Sequence, residues 1–167
     1  MKKKNNYKNK KSSLRKATEV VVAIILSLGG GFLISFLTRD AMGQFSSFKQ
    51  PPLAPPAWLF PIAWSILYIL MGVASYLIFN LKKSKERTVL LVLYLIQLGF
   101  NFLWTIIFFN LGWFWVAAIW LAIMWAIILT LMIRVKKLSP AAFYLLLPYI
   151  LWCSFAMYLN ISIAILN

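Results

Sequence analysis

Residues 51–72 read PPLAPPAWLFPIAWSILYILMG. Five of the chain's seven prolines, Pro51, Pro52, Pro55, Pro56 and Pro61, stand against the start of an aromatic, uncharged run. Proline fixes φ and donates no backbone hydrogen bond, so this proline run cannot be a helix interior or a central strand. The pattern predicts a stiff, extended cover that ends where Ala57 opens a membrane helix. A rigid cover leading into a Trp-bearing helix suggests a lidded pocket, and such a pocket suggests a ligand.

The rest of the chain supports the membrane reading. Of its 167 residues 63% are hydrophobic and only 12% charged, about half the charged share of a soluble domain. About 20 mainly apolar residues cross a bilayer. That rule places five spans, at roughly 18–38, 57–81, 88–109, 112–133 and 139–166, with no charge inside them except Glu19 at the first boundary. The predicted fold is an all-α integral membrane protein, a bundle of five transmembrane helices over 18–167. Residues 1–17 are expected to be a basic, disordered tail, and 39–56 an outer lid loop.

The net charge of +14 is unevenly placed. Eight cations precede the first span, four lie between the second and third, and three between the fourth and fifth; only Arg39 and Lys49 fall on the opposite side. The positive-inside rule then puts the N-terminus in the cytoplasm and the C-terminus outside. The basic tail reads as an orientation signal that favours anionic lipid, and without a supporting motif it does not suggest nucleic acid as a partner. The apolar run to Thr38 is too long for a signal-peptide core, so the first helix is expected to be retained. The single cysteine, Cys153, excludes a disulfide framework within the chain.

The chain has no histidine and three acids, Glu19, Asp40 and Glu86, none in mid-membrane. Proton-coupled transport needs ionisable groups inside the bundle. Metal sites built from His, Cys and carboxylate, and ordinary acid–base catalysis, lack their residues too. What remains is polar and aromatic. Gln97, Asn101, Trp104 and Phe108 share one face of the third span. In hydrocarbon the two amides need partners in the bundle or a wet cavity, so they read either as glue between helices or as a ligand contact. Tyr149, Trp152, Ala156 and Asn160 share a face of the fifth span, where Pro148 is expected to kink the helix and open space. Trp64 and Tyr68 are i, i+4 neighbours below the proline cover. Trp58, Trp113 and Trp115 suit the interfacial belt, whereas Trp64 and Trp152 lie further in. Trp64, Asn101 and Trp152 are therefore candidates for one aromatic cavity suited to a flat, mostly apolar ligand. Two stripes of small residues, Ser27/Gly31/Ser35 and Ala118/Ala122/Ala126, predict close helix approaches; the second reads as packing within the chain or as a dimer seam.

Several segments, taken in order, resemble the TspO/MBR family of tryptophan-rich sensory proteins, which includes the mitochondrial translocator protein. The matching pieces are Phe48-Lys49-Gln50-Pro51, Pro55-Pro56-Ala57-Trp58, Phe60-Pro61, Trp64, Leu67-Tyr68 and Met71-Gly72. They continue with Gln97, Asn101, Trp104 and Phe108-Phe109, and end with Ser139-Pro140, Pro148-Tyr149, Trp152, Phe155-Ala156 and Leu159-Asn160. The resemblance covers about residues 25–165. It implies a five-helix bundle, often a homodimer, binding protoporphyrin IX and other porphyrins, with links to tetrapyrrole regulation and stress response. The family's pocket positions fall on Phe45, Phe60, Trp64, Asn101, Trp152, Ala156 and Leu159, beside Trp104, under lid residues Pro51, Leu53, Pro55 and Pro56. Trp64 and Trp152 match the tryptophans tied to light-dependent porphyrin breakdown. No cofactor is required on this reading, with porphyrin a ligand and membrane lipids as partners. Light-dependent porphyrin degradation and passive transport of tetrapyrroles or lipids are the two other readings. Leu53 replaces the family's lid tryptophan, and Gln44-Phe45 replaces Trp-Tyr. The animal cholesterol motif is missing around Leu159-Asn160-Ile161. The expected location is a bacterial cytoplasmic (plasma) membrane.

Overall fold

A computed structural model describes the backbone of residues 2–167 and the side chains of residues 14–167. Six helices follow one another: α1 (Lys2–Leu37), α2 (Ala41–Ser47), α3 (Leu59–Phe79), α4 (Lys85–Thr105), α5 (Phe114–Lys136) and α6 (Pro140–Leu166). A π-helical turn, Ile106–Asn110, prolongs α4. Five segments are long and apolar enough to cross a membrane: Leu14–Leu37, Leu59–Phe79, Lys85–Asn110, Phe114–Lys136 and Pro140–Leu166. The five-span reading is correct, with helix ends shifted by a few residues.

Local chemistry sets those ends. Ser84 accepts a hydrogen bond from the Arg87 amide at 3.1 Å and Glu86 stands in the first turn, so α4 starts before its apolar run begins. Ser139 caps α6 through the Ala142 amide at 3.3 Å, with Pro140 in the first turn. Pro61 falls in the first turn of α3, where its missing N–H costs little. Gly112, at φ +64°, makes the tight turn from α4 to α5.

Two expectations need correction. The segment 1–17 was expected to be disordered, but α1 runs through it from Lys2. No Gly or Pro interrupts the chain before Gly29, and a helix already nucleated in the membrane propagates outward one bond per residue. Met1 and the side chains of 2–13 lie outside the described residues. Residues 39–56 were expected to be a loop, but they contain α2. Their prolines begin only at Pro51, leaving 41–47 free to coil. Pro148 does not break α6, which is continuous through it.

Around the bundle the order is α1, α3, α6, α5, α4, with α4 touching α1 and α3 more lightly. Glycine brings α1 against α3: a Cβ on Gly72 would lie 2.7 Å from Ile24 Cα. Ser27 and the Tyr94 hydroxyl share a hydrogen bond of 3.0 Å, tying α1 to α4. The Ser27/Gly31/Ser35 stripe thus does bring helices close. Ala122 and Ala126 are exposed, so the second stripe is not covered within the chain beyond Ala118. At the basic end Arg134 of α5 pairs with Glu86 of α4 at 3.2 Å, and Arg87 donates to the Phe79 carbonyl at 2.9 Å.

Candidate ligand cavity and its polar floor

At the lid end, α1, α2, α3 and α4 surround a half-open cavity of about 430 Å³. Helix α1 contributes Gly31, Phe32 and Ser35, and the turn after it Thr38 and Arg39; α2 contributes Met42 and Phe45; α3 contributes Phe60, Trp64 and Tyr68; α4 contributes Trp104 and Thr105, and its π-helical turn Phe109. Rings dominate the wall. Phe45 meets Phe60 edge-on at 4.7 Å, and Trp64 lies 5.6 Å from Tyr68. Gly31 leaves the room that the Tyr68 ring occupies, since any Cβ there would collide with it.

Behind the Tyr68 wall runs a buried polar chain. Tyr68 donates to Asn101 Oδ1 at 2.6 Å, Asn101 Nδ2 donates to the Tyr149 hydroxyl at 3.3 Å, and Tyr149 donates to Gln97 Oε1 at 2.7 Å. It links α3, α4 and α6 in mid-bundle. Away from water each group costs a few kcal/mol if left unmade, so the chain fixes the relative rotation of three helices. Gln97 Nε2 finds no partner. A second tie joins Trp104 Nε1 to Asn160 Oδ1 at 3.1 Å, and Asn160 Nδ2 to the Phe114 carbonyl at 2.8 Å. The predicted shared face of Gln97, Asn101, Trp104 and Phe108 is fully buried.

Of the residues picked from sequence, Phe45, Phe60, Trp64 and Trp104 line this cavity. Asn101 is one layer behind it, bonded to Tyr68. Trp152 meets Phe60 edge-on, 6.0 Å away between ring centres. It faces a separate, shallow groove with Ile66, Leu67, Pro148 and Leu151. Its Nε1 is buried without a partner. Ala156 and Leu159 are buried in helix packing and line neither space. Trp64 and Trp152 therefore line different spaces, and Asn101 lines neither.

The lid is fastened to the end of α6. Lys49 N–H donates to Asn167 Oδ1 at 2.9 Å, Asn167 Nδ2 returns a bond to the Lys49 carbonyl, and Tyr158 donates to the Pro52 carbonyl at 2.5 Å. Gln50 Nε2 donates to the Phe45 carbonyl. Pro51 is buried, Pro55 half-buried and Pro56 exposed. Leu53, at φ 69°, is 82% exposed and touches no cavity wall. Arg39, Ala41, Met42 and Phe45, not the proline run, are the lid's contribution to the cavity. Sequence reasoning missed the α1 wall. Its signal was the small-residue stripe: Gly31 and Ser35 both pack helices and leave space.

The TspO/MBR family model matches residues 22–166, from within the first span to the end of the fifth. "Tryptophan-rich protein TspO" of Chlorobaculum tepidum is 35% identical over 150 residues, covering 89% of this chain and 95% of that protein. "Translocator protein" of Ovis aries is 35% identical over 137 residues, 78% of this chain and 79% of its own. "Tryptophan-rich sensory protein" of Cereibacter sphaeroides is 33% identical over 123 residues, covering 74% and 76%. By the extent of these matches and by its five membrane-length helices, the chain belongs to the TspO/MBR family.

Proposed function

We propose that this integral membrane protein is a receptor of the sensory kind that binds porphyrins, such as protoporphyrin IX or haem-type tetrapyrroles, or similar flat apolar molecules. One observation carries the reading: a half-open cavity of about 430 Å³ walled by rings from four helices. Such a space is within the usual range of ligand sites, and aromatic walls supply both buried area and offset stacking. The sensory and translocator names belong to relatives, and they support a ligand-linked role in tetrapyrrole regulation or stress response here. The charge asymmetry supports a bacterial plasma membrane with the basic end in the cytoplasm.

The test is quenching of tryptophan fluorescence by protoporphyrin IX, titrated in non-ionic detergent in the dark. Saturable quenching is expected, weakened by Trp64→Ala and unchanged by Trp113→Ala, whose side chain is 58% exposed at a helix end. Equal losses from the two variants, or quenching that never saturates, would overturn the reading. A second reading, light-driven oxidation of the bound ring with dissolved dioxygen as the oxidant, is favoured by the contacts of Trp64 with Tyr68 and Tyr149 at 5.6 and 6.3 Å. It requires porphyrin bleaching under illumination that Trp64→Phe abolishes.

A further inference from the structure

The cavity's polar groups are unequal. Thr38, Ser65 and Thr105 give their hydroxyl protons to carbonyls of their own helices, at 2.8, 2.7 and 3.3 Å. Tyr68 and Trp104 give theirs to Asn101 and Asn160. Ser35 and Arg39 are not committed in this way, and the charged one is Arg39, just past the C-terminal end of α1 and one turn beyond Ser35 on the same wall. Its guanidinium carbon rests 5.8 Å from the Phe36 ring centre, a weak contact at an exposed site. It makes no ion pair among the described residues. The two pairs that exist there, Arg15–Glu19 and Arg134–Glu86, lie at the basic end. Asp40 does not line the cavity, and neither does Lys49, the lid end's other cation.

A free planar guanidinium at the mouth of a ring-walled cavity suits one class of ligand: an apolar body carrying a carboxylate at its edge. We propose that Arg39 is the anion-recognition element of this site. It would hold a ligand carboxylate in a forked, charge-assisted contact while the apolar part lies on Phe60, Trp64 and Phe109. This deepens the porphyrin reading and rests on the same cavity. It adds that the free acid is the recognised form.

The experiment titrates wild type, Arg39→Gln and Lys49→Gln in non-ionic detergent with protoporphyrin IX and with its dimethyl ester, read by tryptophan quenching. In wild type the acid should bind about tenfold more tightly than the ester, the low end for a hydrogen bond to a charged group. Arg39→Gln should bring the acid to the level of the ester and leave the ester unchanged. Lys49→Gln should keep the difference. The proposal is overturned if acid and ester bind wild type alike, or if Arg39→Gln weakens both equally, as a structural role would. If neither porphyrin saturates, the tetrapyrrole reading is lost by itself. The same variants are then titrated with cis-parinaric acid and its methyl ester, which decide by the same comparison whether the carboxylate site exists.

Discussion

A methyl group added at Gly72 should separate α1 from the bundle. That Cβ would meet three backbone atoms of α1: Ile24 Cα at 2.7 Å, the Ala23 oxygen at 3.0 Å and the Ile24 nitrogen at 3.0 Å. Carbon atoms settle at about 3.5 Å or more, so α1 must retreat by about 0.8 Å along that line. A side chain could swing aside; helix backbone cannot. Overpacking of this sort costs about 1–3 kcal/mol, offset by up to about 1 kcal/mol from replacing a helical glycine. Gly99→Ala supplies the control, since nothing lies within 4 Å of its Cβ position. It should be neutral or stabilising. The difference between the two variants isolates the clash, at about 1–3 kcal/mol. Thermal unfolding in detergent measures it. Because α1 is one wall of the cavity, Gly72→Ala should also weaken protoporphyrin quenching. If Gly72→Ala and Gly99→Ala unfold together, the α1–α3 approach is wrong and the cavity's α1 wall goes with it.

Two further perturbations probe the floor and the lid. Tyr149→Phe removes a donor to Gln97 and an acceptor for Asn101; it should destabilise the bundle by about 1–2 kcal/mol, and an unchanged unfolding midpoint would show that the chain of bonds is not formed. Tyr158→Phe cuts the bond to the Pro52 carbonyl. Amide hydrogen exchange at Ala54, whose N–H bonds to the Pro51 carbonyl, should quicken, and an unaltered rate would mean that the Asn167–Lys49 bonds alone hold the lid.

The spans were legible because each is a long apolar run, and transfer into hydrocarbon depends on composition more than on neighbours. The face shared by Gln97, Asn101, Trp104 and Phe108 was legible for a similar reason: helical periodicity is local. Helix α2 was harder to read. It is seven residues long, and its place is set by Phe45 packing edge-on to Phe60, a contact between distant segments. The grouping of Trp64, Asn101 and Trp152 came from depth and face alone. Neither quantity says which space a side chain faces, and Trp64 and Trp152 face different ones.

By itself the sequence determined a membrane protein of five helices, its charge asymmetry, its polar helix faces and its family resemblance, because those properties belong to single segments or to their order. The tertiary structure alone decided that the cavity opens between α1, α2, α3 and α4, that Asn101 stands behind Tyr68, and that Trp152 faces a different groove. It also placed Arg39 at the cavity's edge. These are facts of helix rotation and contact. They depend on the glycines that let α1 approach α3 and on the buried bonds that lock α3, α4 and α6 together, and no single segment encodes them.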